Sequence, residues 1–382
     1  MADGVLDLED LVTHEYKFAD VVSAYEELSD GAEFFGIQLE YNGQSAIDRT
    51  PVSVHTKTRR GNRSGLRLGI VGAGNFVRAT MLPAVQTADI GRITGVCSAS
   101  GVSARHLAES NGISTVHTDA STMFEDQNVD AVIIASPHST HAELVVDALN
   151  AGKDVFCEKP LCITTDELAS IEEAAASSDG ILQVGFNRRH SPPVQKAIEV
   201  LKGTGPMVIT YRVNAGELPP SHWYYDRTQG GRLIGEVCHF IDTVLALGGD
   251  AEVTGFHVTG SGVGAAELEQ DIAIAMSLSN GVVAAISYGS HGNSAMPKEQ
   301  IEVVGRGHSI VIDNFDTFTI DGKSDQSISG KGHADQLSAF SDRAKIGDKS
   351  EIFGLRASAL AIDAVEQLAS RGVIVEEGFT NA

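Results

Sequence analysis

LRLGIVGAGNFVRATMLPAV, residues 66–85, reads as a buried strand, a glycine turn and the start of a helix. Gly72 and Gly74 take the first two places of a G-x-G-x-x-G pattern, and Val77 takes the third. Gly72 permits a tight turn. Gly74 lets backbone N–H groups approach a pyrophosphate, whose charge a helix N-terminus favours. Ala73, Asn75 and Phe76 complete the turn and join the glycines as candidate dinucleotide contacts. Two glycines are a weak signal, and a plain strand–turn–helix is the alternative. The strand before and the helix after meet the context that the pattern requires.

The same rhythm continues downstream. Residues 92–99 (RITGVCSA) read as the second strand. Strict NAD binders often carry an acid near its end for the ribose 2′-hydroxyl. Ser98, Ala99 and Ser100 stand there instead, and Arg105 follows. No acid repels a 2′-phosphate, which favours NADP and leaves NAD open; Arg105 as a solvated helix residue is the plain alternative. Residues 129–135 (VDAVIIA) form the next buried strand and run into SPHSTH. Ser136, Pro137, His138 and His141 are expected at the cofactor's edge, where the chain enters a helix over 140–150. The H-x-x-H spacing lacks a nearby carboxylate or cysteine, so no metal is expected.

That helix leads to DVFCEKPL, residues 154–161. A short strand over 155–157 ends on Glu158, Lys159 and a proline. Open α/β sheets hold their ligands at the carboxyl ends of parallel strands. Lys159 is steered away from helix by Pro160, and an X–Pro bond can be cis. Lys159 is therefore expected to face a substrate hydroxyl beside a nicotinamide; a surface loop with two neighbouring charges is the plain alternative. A helix over 165–177 and a strand over 181–186 follow, and Asn187, Arg188 and Arg189 leave that strand in the layer of Lys159.

After Gly205 strands outnumber helices: 207–213, 253–261, 271–278, 282–288, 299–304, 309–312 and 317–320, several separated by SNG, GRG and DGK turns. One helix interrupts them, GGRLIGEVCHFIDTVLALGG, 230–249. Its apolar face is Leu233, Val237, Phe240, Ile241, Val244 and Leu245; Glu236 and His239, three apart, are surface neighbours on it. Helices over 334–345 and 353–370 close the chain.

The 382 residues suggest two or three domains. A net charge of −23 disfavours nucleic acid and anionic membranes, which need a basic footprint. No apolar run reaches the length of a membrane span, and the acidic start is unlike a signal peptide, so a cytoplasmic protein is expected. Cys97, Cys157, Cys162 and Cys238 form no C-x-x-C pair; Cys97 and Cys157 lie in apolar strands and are expected to be buried thiols. Residues 1–42 read as a small unit with a strand, a helix over 18–28 and a second strand in FFGIQLEY; 43–64 read as a polar linker.

GAGNF, CEKPL, GFNRR and GGRLIGEVCHFID, in this order and spacing from about Leu66 to the C-terminus, resemble the Gfo/Idh/MocA oxidoreductases. The resemblance implies an α/β fold: a Rossmann dinucleotide-binding domain over 65–187, then an α+β domain over 188–382 with an open, largely antiparallel sheet. It implies NAD or NADP as cofactor, Lys159 orienting the substrate hydroxyl, His239 as general acid/base and Glu158 near the nicotinamide ribose. Asp242 matches an acidic position beyond the histidine. Many members place an aspartate four residues before that histidine; here Gly235 stands there, and Glu236 beside it is the candidate substitute. Residues 1–42 resemble the carboxyl-terminal tail of a medium-chain, zinc-type alcohol dehydrogenase, through Thr13, His14, Phe18, Ala24, Tyr25, Leu28 and 36–41. None of that family's catalytic or zinc-binding parts is present, so no activity carries over.

The residues agree with this chemistry. Oxidising a secondary alcohol requires its proton to leave, and a histidine titrates near neutrality and can take it. An ammonium stabilises alkoxide character, and the cofactor carries the redox step. Asn187, Arg188, Asn214, His222, Trp223 and Lys298 are candidate substrate contacts. Trp223 could stack on a sugar face or pack in the core; Arg188 and Arg189 could instead form ion pairs. The expected function is hydride transfer between nicotinamide and a hydroxyl or ketone of a sugar, cyclitol or nucleotide-sugar, in a homodimer or homotetramer. The alternatives are a glycosidase that retains NAD and acts by transient oxidation, and a non-catalytic cofactor-sensing regulator.

Overall fold

The computed structural model describes residues 12–21, 35–40, 51–53, 65–203, 205–219, 221–262, 265–349 and 354–370. They belong to two units, Met1–Thr50 and Pro51–Ala382. In the first, β1 (His14–Lys17) pairs in parallel with β2 (Ile37–Glu40), His14 opposite Ile37. A 3-10 turn, Phe18–Asp20, follows β1. The rest of the helix expected over 18–28 lies outside the described residues.

The second unit begins with β3 (Val52–Ser53), β4 (Leu66–Val71), β5 (Gly91–Cys97), β6 (Thr115–His117), β7 (Ala131–Ile134), β8 (Asp154–Cys157) and β9 (Leu182–Val184). Their order across the sheet is β3-β6-β5-β4-β7-β8-β9. All described pairs are parallel except β3 on β6. Two residues of the expected linker thus extend the sheet at its β6 edge. The chain steps outward from β4 to β5 and β6, then crosses back to β7. Open α/β sheets bind ligands outside the carboxyl ends of the strands at such a switch. Helices α1 (Leu82–Ala88), α2 (Gly101–Asn111), α3 (Ala120–Glu125), α4 (His141–Asn150) and α5 (Thr165–Ser177) connect the strands. Thr164 and Glu167 form a capping box that starts α5, the helix expected over 165–177.

Beyond α6 (Pro192–Val200) come β10 (Met207–Asn214), α7 (Cys238–Leu247), β11 (Val253–Gly260), β12 (Ile272–Leu278), β13 (Val282–Gly289), β14 (Glu299–Gly305), β15 (His308–Asp313), β16 (Thr317–Ile320), β17 (Lys323–Asp325), α8 (His333–Ile346) and α9 (Leu355–Ser370). The second sheet runs β11-β12-β13-β10-β14-β15-β16-β17 and is antiparallel apart from the β10–β13 pair. Alternation aims Met207, Ile209, Tyr211 and Val213 of β10 inward, where they meet the buried Phe240 and Val244 of α7 in one core. The exposed polar run of β17 has no such alternation, so it escapes sequence reading.

The C-terminal part does not stay with the second sheet. Leu337 and Phe340 of α8 are buried in the core beneath the first sheet, and Phe340 meets Phe156 edge to face at 5.7 Å. Packing therefore crosses the boundary expected at 187/188. Among the described residues no helix is long and apolar enough to cross a membrane.

Candidate active site

The end of β8 carries Glu158 and Lys159, and the Lys159–Pro160 bond is cis. Lys159 Nζ donates to the carbonyl of Gly235 at 2.8 Å. Gly235 lies in a π-helical turn, Leu233–Val237, that runs directly into α7. Such turns insert one residue and redirect the side chains around them. His239 stands one turn further along. It is 6 % exposed, its ring meets Phe186 edge-on at 5.6 Å, and Nδ1 has no hydrogen-bond partner among the described residues. Burial, then the charges of Arg188 and Lys159, hold its pKa well below the ordinary value. The imidazole is neutral and can accept a proton.

Four further groups surround the lysine: Tyr224, Cys238, Glu158 and Glu236. Burial raises Glu158 to about 7 against the pull of Lys159, and its Oε1 has no partner among the described residues. Burial would lower Lys159, but Tyr224, Cys238, Glu158 and Glu236 outweigh it and raise its pKa, so the ammonium persists. Burial would raise Glu236, but Lys298 and Tyr288 win and keep it a carboxylate. Tyr288 O–H donates to Glu236 Oε2 at 2.5 Å, Lys298 pairs with Oε1, and Arg232 Nη1 donates to the Tyr288 oxygen at 2.9 Å.

Gly235 explains the missing aspartate. A Cβ there would lie 2.6 Å from Tyr224 Cε1 and 3.0 Å from His138 Cε1. The space is filled by an aromatic ring, and no side chain fits without moving it. Sequence reading missed Tyr224, Tyr288 and Arg232. The only available signal was the cluster HWYYD at 222–226, from which Trp223 drew notice as the sole tryptophan.

At the dinucleotide end, Gly72 has φ +120°, and a Cβ would lie 2.3 Å from the Ala135 carbonyl oxygen. Glycine is required by the close approach of β7. Around Gly74 no described atom lies within 4 Å of the Cβ position. That open backbone cradle, with Ala73 buried, Asn75 at the helix start and Phe76 41 % exposed, fits a pyrophosphate. Ser98 Oγ accepts from Ser100 N at 3.3 Å, Ser100 caps α2, and Arg105 forms an exposed pair with Glu109. Ser136 Oγ lies 2.8 Å from Thr140 Oγ1, and Pro137 precedes the 3-10 turn His138–Thr140. His138 Nδ1 donates to the Gln229 carbonyl at 2.9 Å, and His141 Nδ1 to that of Pro160 at 2.7 Å. Burial, with Lys159 next, pushes His138 down to about 3. Both histidines thus brace backbone around the lysine.

The substrate candidates divide. Arg188 is held bidentate by Glu299 at 2.6 and 2.8 Å, with Phe240 under its guanidinium. Asp242 is fully buried and bound by Arg189 at 2.8 to 3.0 Å. These two expected substrate contacts instead form interior ion pairs, because a buried charge needs its counter-charge. Asn187 Nδ2 donates to the Lys331 carbonyl at 2.7 Å. Asn214 Nδ2 donates to the Asn293 carbonyl at 2.8 Å, while its Oδ1 is buried without a partner among the described residues. Lys298 serves Glu236. His222 Nδ1 accepts from the Tyr224 backbone N–H at 3.2 Å. Trp223, 46 % exposed and edge-on to His138 at 4.7 Å, is not a core residue. Cys97 and Cys157 are buried thiols, as their strands implied, and Cys162 and Cys238 are buried too.

Comparison with known proteins gives the same outline. Residues 66–186 match the family model for the Gfo/Idh/MocA oxidoreductase family, NAD-binding Rossmann fold. The chain is 30 % identical to myo-inositol 2-dehydrogenase of Thermotoga maritima over 188 residues, 48 % of this chain and 55 % of that protein. It is 32 % identical to the rhizopine catabolism protein MocA of Rhizobium meliloti over 197 residues, 51 % of this chain and 61 % of that protein. The matched stretches thus span little more than half the length of these curated relatives. The fold is shared with UDP-N-acetylglucosamine 3-dehydrogenase GnnA from Acidithiobacillus ferrooxidans, with a TM-score of 0.68 at 20 % identity, covering 80 % of this chain and 99 % of that one. From the glycine turn at 72–74 to the strand before Asn187, residues 66–186 are thus similar to the NAD-binding Rossmann portion of the Gfo/Idh/MocA oxidoreductases.

Proposed function

We propose that this protein moves a hydride between NAD(P) and a secondary hydroxyl or ketone of a sugar, cyclitol or nucleotide-sugar. The observation that carries this reading is the meeting of a charged Lys159 and a neutral His239 on either side of Gly235. The bound nicotinamide supplies the redox chemistry. His239 takes the proton of the substrate hydroxyl. Lys159 stabilises the negative charge that develops on that oxygen. Glu236, fixed by Tyr288 and Lys298, orients neighbouring hydroxyls. Glu158, whose buried Oε1 has no partner among the described residues, would hold the nicotinamide ribose.

The want of an acid at 98–100 supports NADP over NAD. Val208, Val283 and Val304, each more than half exposed and in register across β13, β10 and β14, support a homodimer or homotetramer formed on that sheet face. The likeness of residues 1–42 to a medium-chain dehydrogenase tail rests on their sequence pattern alone. A screen of sugars, cyclitols and nucleotide-sugars against both dinucleotides, followed by the absorbance of reduced nicotinamide, tests the function. Dinucleotide binding without turnover on any polyol rejects it.

A further inference from the structure

Tyr224 belongs to none of the motifs above, yet its ring stands where the resemblance expects an aspartate. The phenol O–H lies 3.3 Å from the Gly235 carbonyl, the same oxygen that accepts from Lys159 Nζ at 2.8 Å. Two donors therefore point into one small volume at the end of β8. They are not equally committed. The lysine contact is short, whereas 3.3 Å is long for an O–H donor. The ammonium also has two more protons to offer, but the phenol has one. An oxygen entering beside Gly235 would draw the phenol proton from the weaker contact.

The ring is held for that role. Its backbone N–H is bonded to His222 Nδ1, and Trp223 and His138 pack around it with ring centroids 4.2 and 6.3 Å away. The glycine at 235 is what admits it, since a Cβ would press on Cε1. Burial keeps the phenol protonated despite the nearby ammonium.

Resting on the function proposed above, we propose that Tyr224 is a catalytic residue. Its O–H is the second hydrogen-bond donor, beside Lys159, to the substrate oxygen that loses or gains the proton. The pair acts as a preorganised site for a developing alkoxide.

The test compares wild type, Tyr224→Phe, Gly235→Ala and the double variant in the full chain. Tyr224→Phe keeps the ring against Gly235, so its melting temperature and dinucleotide affinity should equal those of wild type. Its kcat on the reactive polyol should fall about 100-fold, with KM changed by less than about threefold. Calorimetry of polyol binding to the protein loaded with reduced dinucleotide supplies a readout without turnover, and the affinity should also stay within about threefold. Gly235→Ala, which displaces the ring, should lose a similar factor, and the double variant should be no worse than the weaker single. Tyr224→Phe turnover within about twofold of an active wild type overturns the role of Tyr224 alone, as do losses that multiply in the double variant. Wild type that binds dinucleotide but oxidises no polyol overturns the function first and this role with it.

Discussion

Lys159 Nζ and the Gly235 carbonyl oxygen, 2.8 Å apart, join the end of β8 to the π turn that delivers His239. One hydrogen bond brings together the ammonium and the imidazole, which reach it from the first sheet and from the helix under the second. The bond also gives the partly buried ammonium an acceptor, which a charge drawn out of water requires.

Replacing that ammonium should therefore cost chemistry before it costs binding. Lys159→Ala is expected to lower kcat by about 10² to 10⁴ while dinucleotide affinity stays within about threefold. Stopped-flow reduction and dinucleotide titration measure the two quantities; unchanged turnover rejects the role of Lys159.

His239 is depressed well below 6.5 by burial first and by Arg188 and Lys159 next. A proton acceptor of low pKa stays competent until the solution is more acidic than that pKa. The acid limb of kcat/KM should then fall well below pH 6.5, with activity flat from there to neutrality. A limb centred at 6.5 or above contradicts this environment. His239→Ala should remove the limb and about 10² to 10⁴ of the rate.

Glu158 gives a stability signature of opposite sign to an ordinary paired carboxylate. Its folded pKa of about 7 lies above the usual 4.5. Its contribution is fully present below about 4.5 and is lost as pH rises through about 7. Glu158→Gln, which cannot ionise, should gain on wild type between those values, reaching at most about 3 kcal/mol by pH 8. Thermal melts of dinucleotide-free protein from pH 4.5 to 8.5 check it; a gap independent of pH would sink the idea.

The two turn glycines should separate fold from binding. Gly72→Ala faces the Ala135 carbonyl at 2.3 Å with φ +120°, so it should destabilise the protein by more than about 1 kcal/mol. Gly74→Ala meets no described atom within 4 Å and should leave the melting temperature nearly unchanged. Its methyl would enter the cradle, so dinucleotide affinity should fall by about tenfold or more. Equal effects of the two on stability would contradict this assignment.

The Arg188–Glu299 pair predicts a different pattern. Both side chains are buried, and Tyr211 adds a hydrogen bond to Glu299 at 2.7 Å. Glu299→Gln should cost about 3 to 5 kcal/mol, because it strands the guanidinium. Arg188→Met with Glu299→Leu should recover most of that loss. Chemical denaturation of the three proteins decides it; a double variant as unstable as the single would show that packing, not charge, dominates.

The alternation of β10, the apolar run before Gly72, the capping box at Thr164 and the turn glycines are local signals, and each is legible in the chain. They specify most of the strands, though not β3, β6 or β17, several helix starts and the parallel-then-antiparallel architecture, because backbone periodicity and φ preference act over a few residues. Lys159 draws notice as well, by its place at the end of a strand, and His239 through the family resemblance of its helix.

What only tertiary structure decided is the partner of each charge. Nothing local tells that Arg188 faces Glu299, 111 positions away, or that Asp242 belongs to Arg189 and not to a substrate. The same holds for Gly235, which looks like a lost acid in the chain and proves to be room for the ring of Tyr224. Strand and helix patterns follow from neighbours along the backbone. Ion pairs and ring contacts follow from which surfaces meet when distant elements pack, and that is settled by the burial of the whole chain.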